Sequence, residues 1–299
     1  MHEFTQSDFA APPPSMVLTP TKTSLSLNSF ETWRKYIYES TGIYFQDNKK
    51  YLLESRLQKR ISHLGIESFE KYFDYIKFNP SGTTEVKYLY EAITINETFF
   101  FRNQPQLDAL VTSILPKIIS SKEKLGKNKI KIWSAASSSG EEAYSIAIII
   151  NDLISPKYPN MEFEIVGTDI SNAVVDAARR ASYKEYSVRN TSVYYLKKYF
   201  KTNGASFDLD PKIKDMVYFK LLNLYDDLSM RTMINFDVIF CANVLIYFDQ
   251  DSKIKVINHL YNSLLKDGYL FIGYSETLHG ISKSFKLTSF PKTIGYKKE

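Results

Sequence analysis

Residues 129–144 read KIKIWSAASSSGEEAY, and the reading of this stretch decides the fold. Ile130, Ile132 and Trp133 have the apolar alternation of a buried strand. The run ends in Ala135-Ala136-Ser137-Ser138-Ser139-Gly140, a loop made only of small side chains. A helical apolar pattern then begins with Tyr144, Ile146, Ala147, Ile149 and Ile150. Strand, small-residue turn and helix N-terminus let the backbone approach a ligand closely, as nucleotide sites require. An ordinary strand-to-helix turn of an α/β domain has the same outline. Phosphate-cradling loops use several glycines or a lysine, and this loop has a single glycine and no lysine. Glu141 and Glu142 at the helix start suit the helix dipole but would repel a phosphate. Acids there fit ribose hydroxyls or an amino group, which points to S-adenosylmethionine rather than a polyphosphate.

Downstream, strands and helices alternate as in a doubly wound sheet. Glu162 to Thr168 reads as a second strand ending at Asp169, and Ala173 to Ala181 as a helix. Val217 to Leu222 and Phe236 to Ala242 read as the third and fourth strands. A helix from about Asp251 to Leu265 leads through Lys266-Asp267-Gly268 into a fifth strand, Tyr269 to Gly273. Phe285, Leu287, Phe290, Ile294 and Tyr296 suggest a closing hairpin. Between about 183 and 215 the pattern gives way to polar and aromatic residues with an Asn203-Gly204 turn, which reads as an insertion.

Upstream, residues 1–26 hold APPP and a Thr/Ser-rich run, so a disordered tail is expected. Residues 27–95 read as a small all-helical domain, its first helix capped by Asn28 or Ser29 and carrying Phe30, Trp33 and Ile37. Leu53, Leu57, Ile61 and Leu64 line one face of the next helix, and Lys49, Arg56, Lys59, Arg60 and His63 are expected on the other side. That basic face is either solvated surface or a docking site for an acidic helix. Residues 96–105 connect this domain to the sheet domain, 106–299.

The chain of 299 residues is 44% apolar, enough to bury a full core, and its net charge of +5 is too small to argue for nucleic acid without a patch. The single cysteine, Cys241, excludes an internal disulfide and a multi-cysteine metal site. No stretch approaches the ~20 apolar residues of a membrane span, and no secretion signal is evident. A cytoplasmic protein, monomeric and metal-free, is expected.

Several residues fit a binding role. Asp169, 29 residues after Gly140, can take both ribose hydroxyls or else cap the helix after Ser171. Asn243 and Tyr247 follow the fourth strand, where open α/β sheets place ligands, although a core tyrosine is equally ordinary. In Asn96-Glu97-Thr98-Phe99-Phe100-Phe101-Arg102 a polar cluster is closed by an arginine, which if buried at a domain junction needs an anionic partner. No GxSxG elbow, HxxxH spacing or Cys/His pair supports a hydrolase or metalloenzyme.

The ordered series ITINETFFFR, WSAASSSGEEAYSIA, GTDIS, LLNL, FDVIFCANVLIYFD and GYLFIGYSETL resembles the CheR-type chemotaxis receptor methyltransferases, from about residue 28 to 296. The resemblance implies a Rossmann-like class I S-adenosylmethionine-dependent methyltransferase domain, a small N-terminal helical domain and an inserted β-subdomain. It implies methyl transfer from S-adenosylmethionine to glutamates of chemoreceptor cytoplasmic helices, with S-adenosylhomocysteine as product. Carried over motif by motif, Asn96, Thr98 and Arg102 would contact the cofactor, Arg102 also near the transfer centre. Glu142 would hold the amino-acid or ribose side and Asp169 the ribose. Asn223 and Leu224 would flank the adenine, Ala242 and Asn243 would lie beside the cofactor, and Tyr247 would stand at the acceptor. The family usually has Arg at the place of Ala242, and Thr and Pro at those of Ser139 and Ala143. A methyltransferase for another acceptor, or a non-catalytic cofactor-binding sensor or scaffold, shares the same motifs.

Overall fold

In the computed structural model, residues 24–299 are described, and residues 1–23 of the expected tail lie outside them. Helices α1 (Leu27–Thr41), α2 (Lys50–Leu64), α3 (Phe69–Phe78) and α4 (Gly82–Ile93) come first. Ser26 caps α1, its hydroxyl accepting the Ser29 N–H at 3.1 Å, so neither Asn28 nor Ser29 is the cap. Leu25, just before the cap, is buried in one core with Phe30, a hydrophobic staple that brings residues 24–26 into the helical layer rather than the tail. Leu53, Leu57 and Ile61 of α2 meet Trp33, Tyr72 and Leu89 in that core. The Trp33 ring stacks on Tyr72 at 5.1 Å and donates to the Phe69 carbonyl at 3.1 Å, leaving no unpaired indole donor.

The expected basic face of α2 is divided. Lys49, Lys59 and His63 are exposed. Arg60 instead turns inward and grips the buried Glu85 of α4 with two bonds of 2.8 Å, while the Tyr72 hydroxyl donates to the same carboxylate at 2.8 Å. A buried acid needs a counter-charge, and the long side chain beside Ile61 reaches it across the α2–α4 contact. Arg56 is half-buried and donates to the Ile93 carbonyl at the end of α4, where a cation suits the helix dipole. Arg60→Glu would face Glu85 with a second acid inside the core. We expect it to lower unfolding free energy by about 3–5 kcal/mol in urea titration, the usual cost of breaking a buried pair; an unchanged midpoint would contradict this reading of Arg60.

After the connector come α5 (Gln104–Ala109) and α6 (Leu115–Lys124), joined by a π-helical turn over Leu110–Ile114. The α/β series follows: β1 (Lys129–Ala135), α7 (Glu141–Ile149), β2 (Glu162–Asp169) and α8 (Asn172–Arg180). Next are β3 (Ser182–Lys184), α9 (Glu185–Val188), α10 (Val193–Tyr199), β4 (Phe200–Asn203), β5 (Ser206–Leu209) and α11 (Pro211–Lys214). The chain closes with β6 (Val217–Leu221), α12 (Asp227–Met230), β7 (Phe236–Cys241), α13 (Gln250–Ser263), β8 (Leu264–Ile272), β9 (Phe285–Phe290) and β10 (Thr293–Lys298).

The main sheet has seven strands in the order β6-β2-β1-β7-β8-β10-β9. β6, β2, β1, β7 and β8 are parallel, and the β9–β10 hairpin adds two antiparallel strands. From β1 the chain winds outward to β2 and β6, then crosses back to β7 and β8. The reversal between β1 and β7 opens a crevice at their carboxyl ends, the usual ligand position of such sheets. A separate small sheet, β3-β5-β4, forms where the sequence offers only the Asn203-Gly204 turn.

The helical layer is fastened beside that crevice. The Tyr44 N–H donates to the Tyr247 carbonyl at 3.0 Å and the Asn223 amide donates to the Ser40 carbonyl at 2.7 Å. Glu91 of α4 accepts the Ala173 N–H in the first turn of α8 at 3.0 Å. Among the described residues no helix is long and apolar enough to cross a membrane.

Candidate active site

The crevice between β1 and β7 deepens into a cavity of about 1500 Å³ including its open mouth. The turn after β1, Asp169 at the end of β2 and the segment after β7 form its walls, and Thr41, Ile43 and residues 93–99 and 101–103 cover it. Asn96, Thr98 and Arg102 from the connector line it, together with Glu142 and Asp169. Asn223, Leu224, Ala242, Asn243 and Tyr247 line it from the other side. Lys49, Lys59 and Arg60 do not. Arg56 lies outside the lining but close enough that its charge acts on the Tyr247 hydroxyl.

The turn after β1 runs repeatedly through left-handed backbone. Ala136, Ser138 and Gly140 all have positive φ, at 55°, 50° and 92°. At Gly140 an added Cβ would stand 2.9 Å from both Ala178 and Phe219, so the glycine is required twice over. Asp169 is buried, with one carboxylate oxygen accepting the Ser138 N–H at 2.9 Å and the other the Ser171 N–H at 3.0 Å. It thus fixes the loop and the start of α8 while facing the cavity. Burial raises its pKa, and the backbone N–H groups hold it down.

Ser137 adds a signal that sequence reading missed. Its hydroxyl is buried in the cavity wall with no hydrogen-bond partner among the described residues. Such a group is expected to bond a polar ligand. The chemistry of the walls fits S-adenosylmethionine: acids for the ribose and the ammonium, and an apolar slot of Ile170, Leu222 and Leu224 for the adenine. Asn223 also shapes its own loop: its amide donates to the Ser40 carbonyl of α1 at 2.7 Å, and its carbonyl accepts the Tyr225 N–H two residues on at 2.9 Å.

Glu142, in the first turn of α7, accepts the Ser134 hydroxyl at 2.7 Å. Desolvation pushes its pKa up to about 7; the Ser134 bond and Arg102 hold it down, and Glu276 pushes it further up. A cationic ligand would favour the ionised form and release the proton. Affinity for S-adenosylmethionine should therefore rise with pH up to about 7 and level off above it. Below that point it should fall by up to about tenfold per unit. Calorimetry in buffers of different ionisation enthalpy checks this, and Glu142→Gln should flatten the profile. A parent profile without a slope below neutrality would contradict the assignment.

Arg102 departs from expectation. It is exposed at the mouth rather than buried, donating to the Glu97 carbonyl at 2.7 Å with its guanidinium 5.6 Å from the Phe99 ring centre. Among the described residues it forms no salt bridge with a carboxylate. Tyr247 is half-buried: burial raises its pKa, Arg56 and Arg102 draw it back, and Glu97 and Glu276 push it further up. Arg189, which nothing in the sequence singled out, is stacked 3.6 Å from the Phe99 ring centre and 3.5 Å from that of Tyr186. The Tyr186 hydroxyl donates to Glu97 at 2.6 Å, and the Phe100 N–H to the Ser187 carbonyl at 2.8 Å. The α9 segment therefore braces the connector that carries Arg102.

Comparison with known proteins agrees with this architecture. Residues 28–94 match the family model "CheR methyltransferase, all-alpha domain", and residues 96–294 match "CheR methyltransferase, SAM binding domain". Chemotaxis protein methyltransferase 2 of Vibrio cholerae is 37% identical over 270 residues, covering 90% of this chain and 92% of that protein. The chemotaxis protein methyltransferase of Borreliella burgdorferi is 36% identical over 247 residues, covering 82% of this chain and 87% of that one. With family models spanning both the helical layer and the cofactor-binding sheet, the chain belongs to the CheR methyltransferase family and is an S-adenosylmethionine-dependent methyltransferase of chemotaxis.

Proposed function

We propose that this protein methylates glutamate side chains on the cytoplasmic helices of methyl-accepting chemotaxis receptors. The observation that carries the reading is that Arg102 and Tyr247 line one cavity mouth, with Arg56 at its edge on the carbonyl of the lining residue Ile93. A carboxylate is the acceptor that two cations and a phenol suit best. The helical layer then serves recognition and the sheet domain serves the cofactor, and the reaction belongs in the cytoplasm, where those receptor helices lie.

When bound, the cofactor supplies a methyl group already activated by the sulfonium. A glutamate carboxylate is ionised at neutral pH, so the chain need supply no strong base. Arg102 and Arg56 orient the carboxylate, and the Tyr247 hydroxyl donates to the oxygen that does not react. The other oxygen would take the methyl group that the bound cofactor supplies. Holding that oxygen in line at roughly 3–3.5 Å is the protein's main contribution. The exposure of Arg102 keeps its grip moderate, since a fully desolvated pair would stabilise the ground state and slow the attack.

Recognition should be tested at the cations that remain on the outer side of α2. With Arg60 committed to Glu85 and Arg56 bonded to the Ile93 carbonyl, reversal of the exposed Lys49 and Lys59 to Glu is the informative change. We expect the apparent KM for a receptor cytoplasmic fragment to rise about tenfold at low salt and its salt dependence to flatten, with cofactor affinity unchanged. Equal kinetics at low and high salt would make α2 mere solvated surface.

A further inference from the structure

The motif after β8, Gly273-Tyr274-Ser275-Glu276-Thr277, has no part in the site described above. Glu276 is not among the cavity-lining residues, yet its carboxylate gathers three backbone N–H groups. One oxygen accepts from Gly273 at 2.6 Å and from Asn243 at 3.0 Å; the other accepts from Ile246 at 3.3 Å. Two of these donors belong to the segment after β7 that presents Asn243 and Tyr247 to the cavity. The third is the first residue after β8.

That segment needs holding. Asn243 sits at φ 64°, a left-handed conformation that costs a non-glycine residue energy unless its surroundings impose it. Gly273 allows the two segments to touch: a Cβ there would stand 2.8 Å from the Asn243 nitrogen and 2.8 Å from the Glu276 carboxylate. A carboxylate accepting three N–H groups is a strong local clamp.

We propose that Glu276 is a positioning residue that holds the 243–247 segment in its left-handed turn and so places Asn243 against the cofactor and Tyr247 against the acceptor. The inference rests on the reading of Asn243 as a cofactor contact. Gln at position 276 keeps the shape but replaces one accepting oxygen by an NH₂ donor that opposes a backbone N–H.

The test uses the full chain and S-adenosylhomocysteine, and so does not depend on the identity of the acceptor. In Glu276→Gln, amide hydrogen exchange of Asn243 and Ile246 should speed up about tenfold and S-adenosylhomocysteine should bind about tenfold more weakly, the loss of roughly one charge-assisted bond. In an Asn243→Ala background the same change should cost little further affinity, because Glu276 acts through Asn243. Unchanged exchange at those amides in Glu276→Gln overturns the clamp. A loss of affinity equal in both backgrounds, or no effect of Asn243→Ala itself, overturns the positioning role. If Glu276→Gln does not fold, Glu276→Asp keeps both acceptors on a shorter arm and takes its place. Faster exchange at Asn243 and Ile246 with weaker binding then supports the clamp, and unchanged exchange overturns it.

Discussion

Arg102→Ala should lower methyl transfer by about 10²–10³-fold, the range seen when one preorganised hydrogen-bond donor is removed from a reacting centre. The melting temperature should hardly move. The side chain is exposed, and its contacts are one carbonyl bond and the Phe99 ring. Arg102→Lys should recover only part of the rate, because an ammonium keeps the charge but not the planar fork. A variant that loses its melting transition together with its activity would make Arg102 a structural residue, stapling Glu97 to Phe99.

Asp169→Ala should be the most damaging change for cofactor binding. It removes an acceptor facing the cavity and also leaves the Ser138 and Ser171 N–H groups without their carboxylate. Binding of S-adenosylhomocysteine should weaken by about 2–4 kcal/mol, combining a lost charge-assisted bond with a loosened loop. Asp169→Asn keeps one accepting oxygen and should cost about half as much. Calorimetry on the two variants separates these contributions. Full affinity in Asp169→Ala would move the ribose contact to another residue.

What the sequence makes legible follows from how local each determinant is. β7 is wholly buried and β1 and β2 mostly so, and their apolar runs stand out between polar turns. β8 begins at Leu264 rather than at Tyr269. Leu264 and Leu265 continue the apolar spacing of α13, which hides the strand start, whereas Leu264 pairs with Phe236 across a register shift. The strands of the small sheet are three or four residues long and mostly exposed or half-buried, too short for any period to show.

The candidate site is legible through its motifs rather than through its geometry. The small-residue turn announces close approach to a ligand, but nothing local tells Ser137 from its neighbours. Helical periodicity puts Arg60 on the outer side of α2, whereas its direction is set by Glu85, 25 residues away on another helix. Three preceding phenylalanines suggest a buried Arg102. Phe100 and Phe101 do enter the core, but Phe99 stays half-buried under Arg102 and Arg189. The clamp at Glu276 reaches Asn243, 33 residues away, and has no sequence period at all.

In the proposed reaction a receptor glutamate is the acceptor. The most direct measurement is transfer of label from methyl-labelled S-adenosylmethionine to an isolated receptor cytoplasmic fragment. The expected result is label on glutamate residues of the fragment, released as methanol by mild base as a carboxyl ester requires, and absent when those glutamates are replaced by alanine. Cofactor binding without any labelled fragment, or label that resists base, would contradict it.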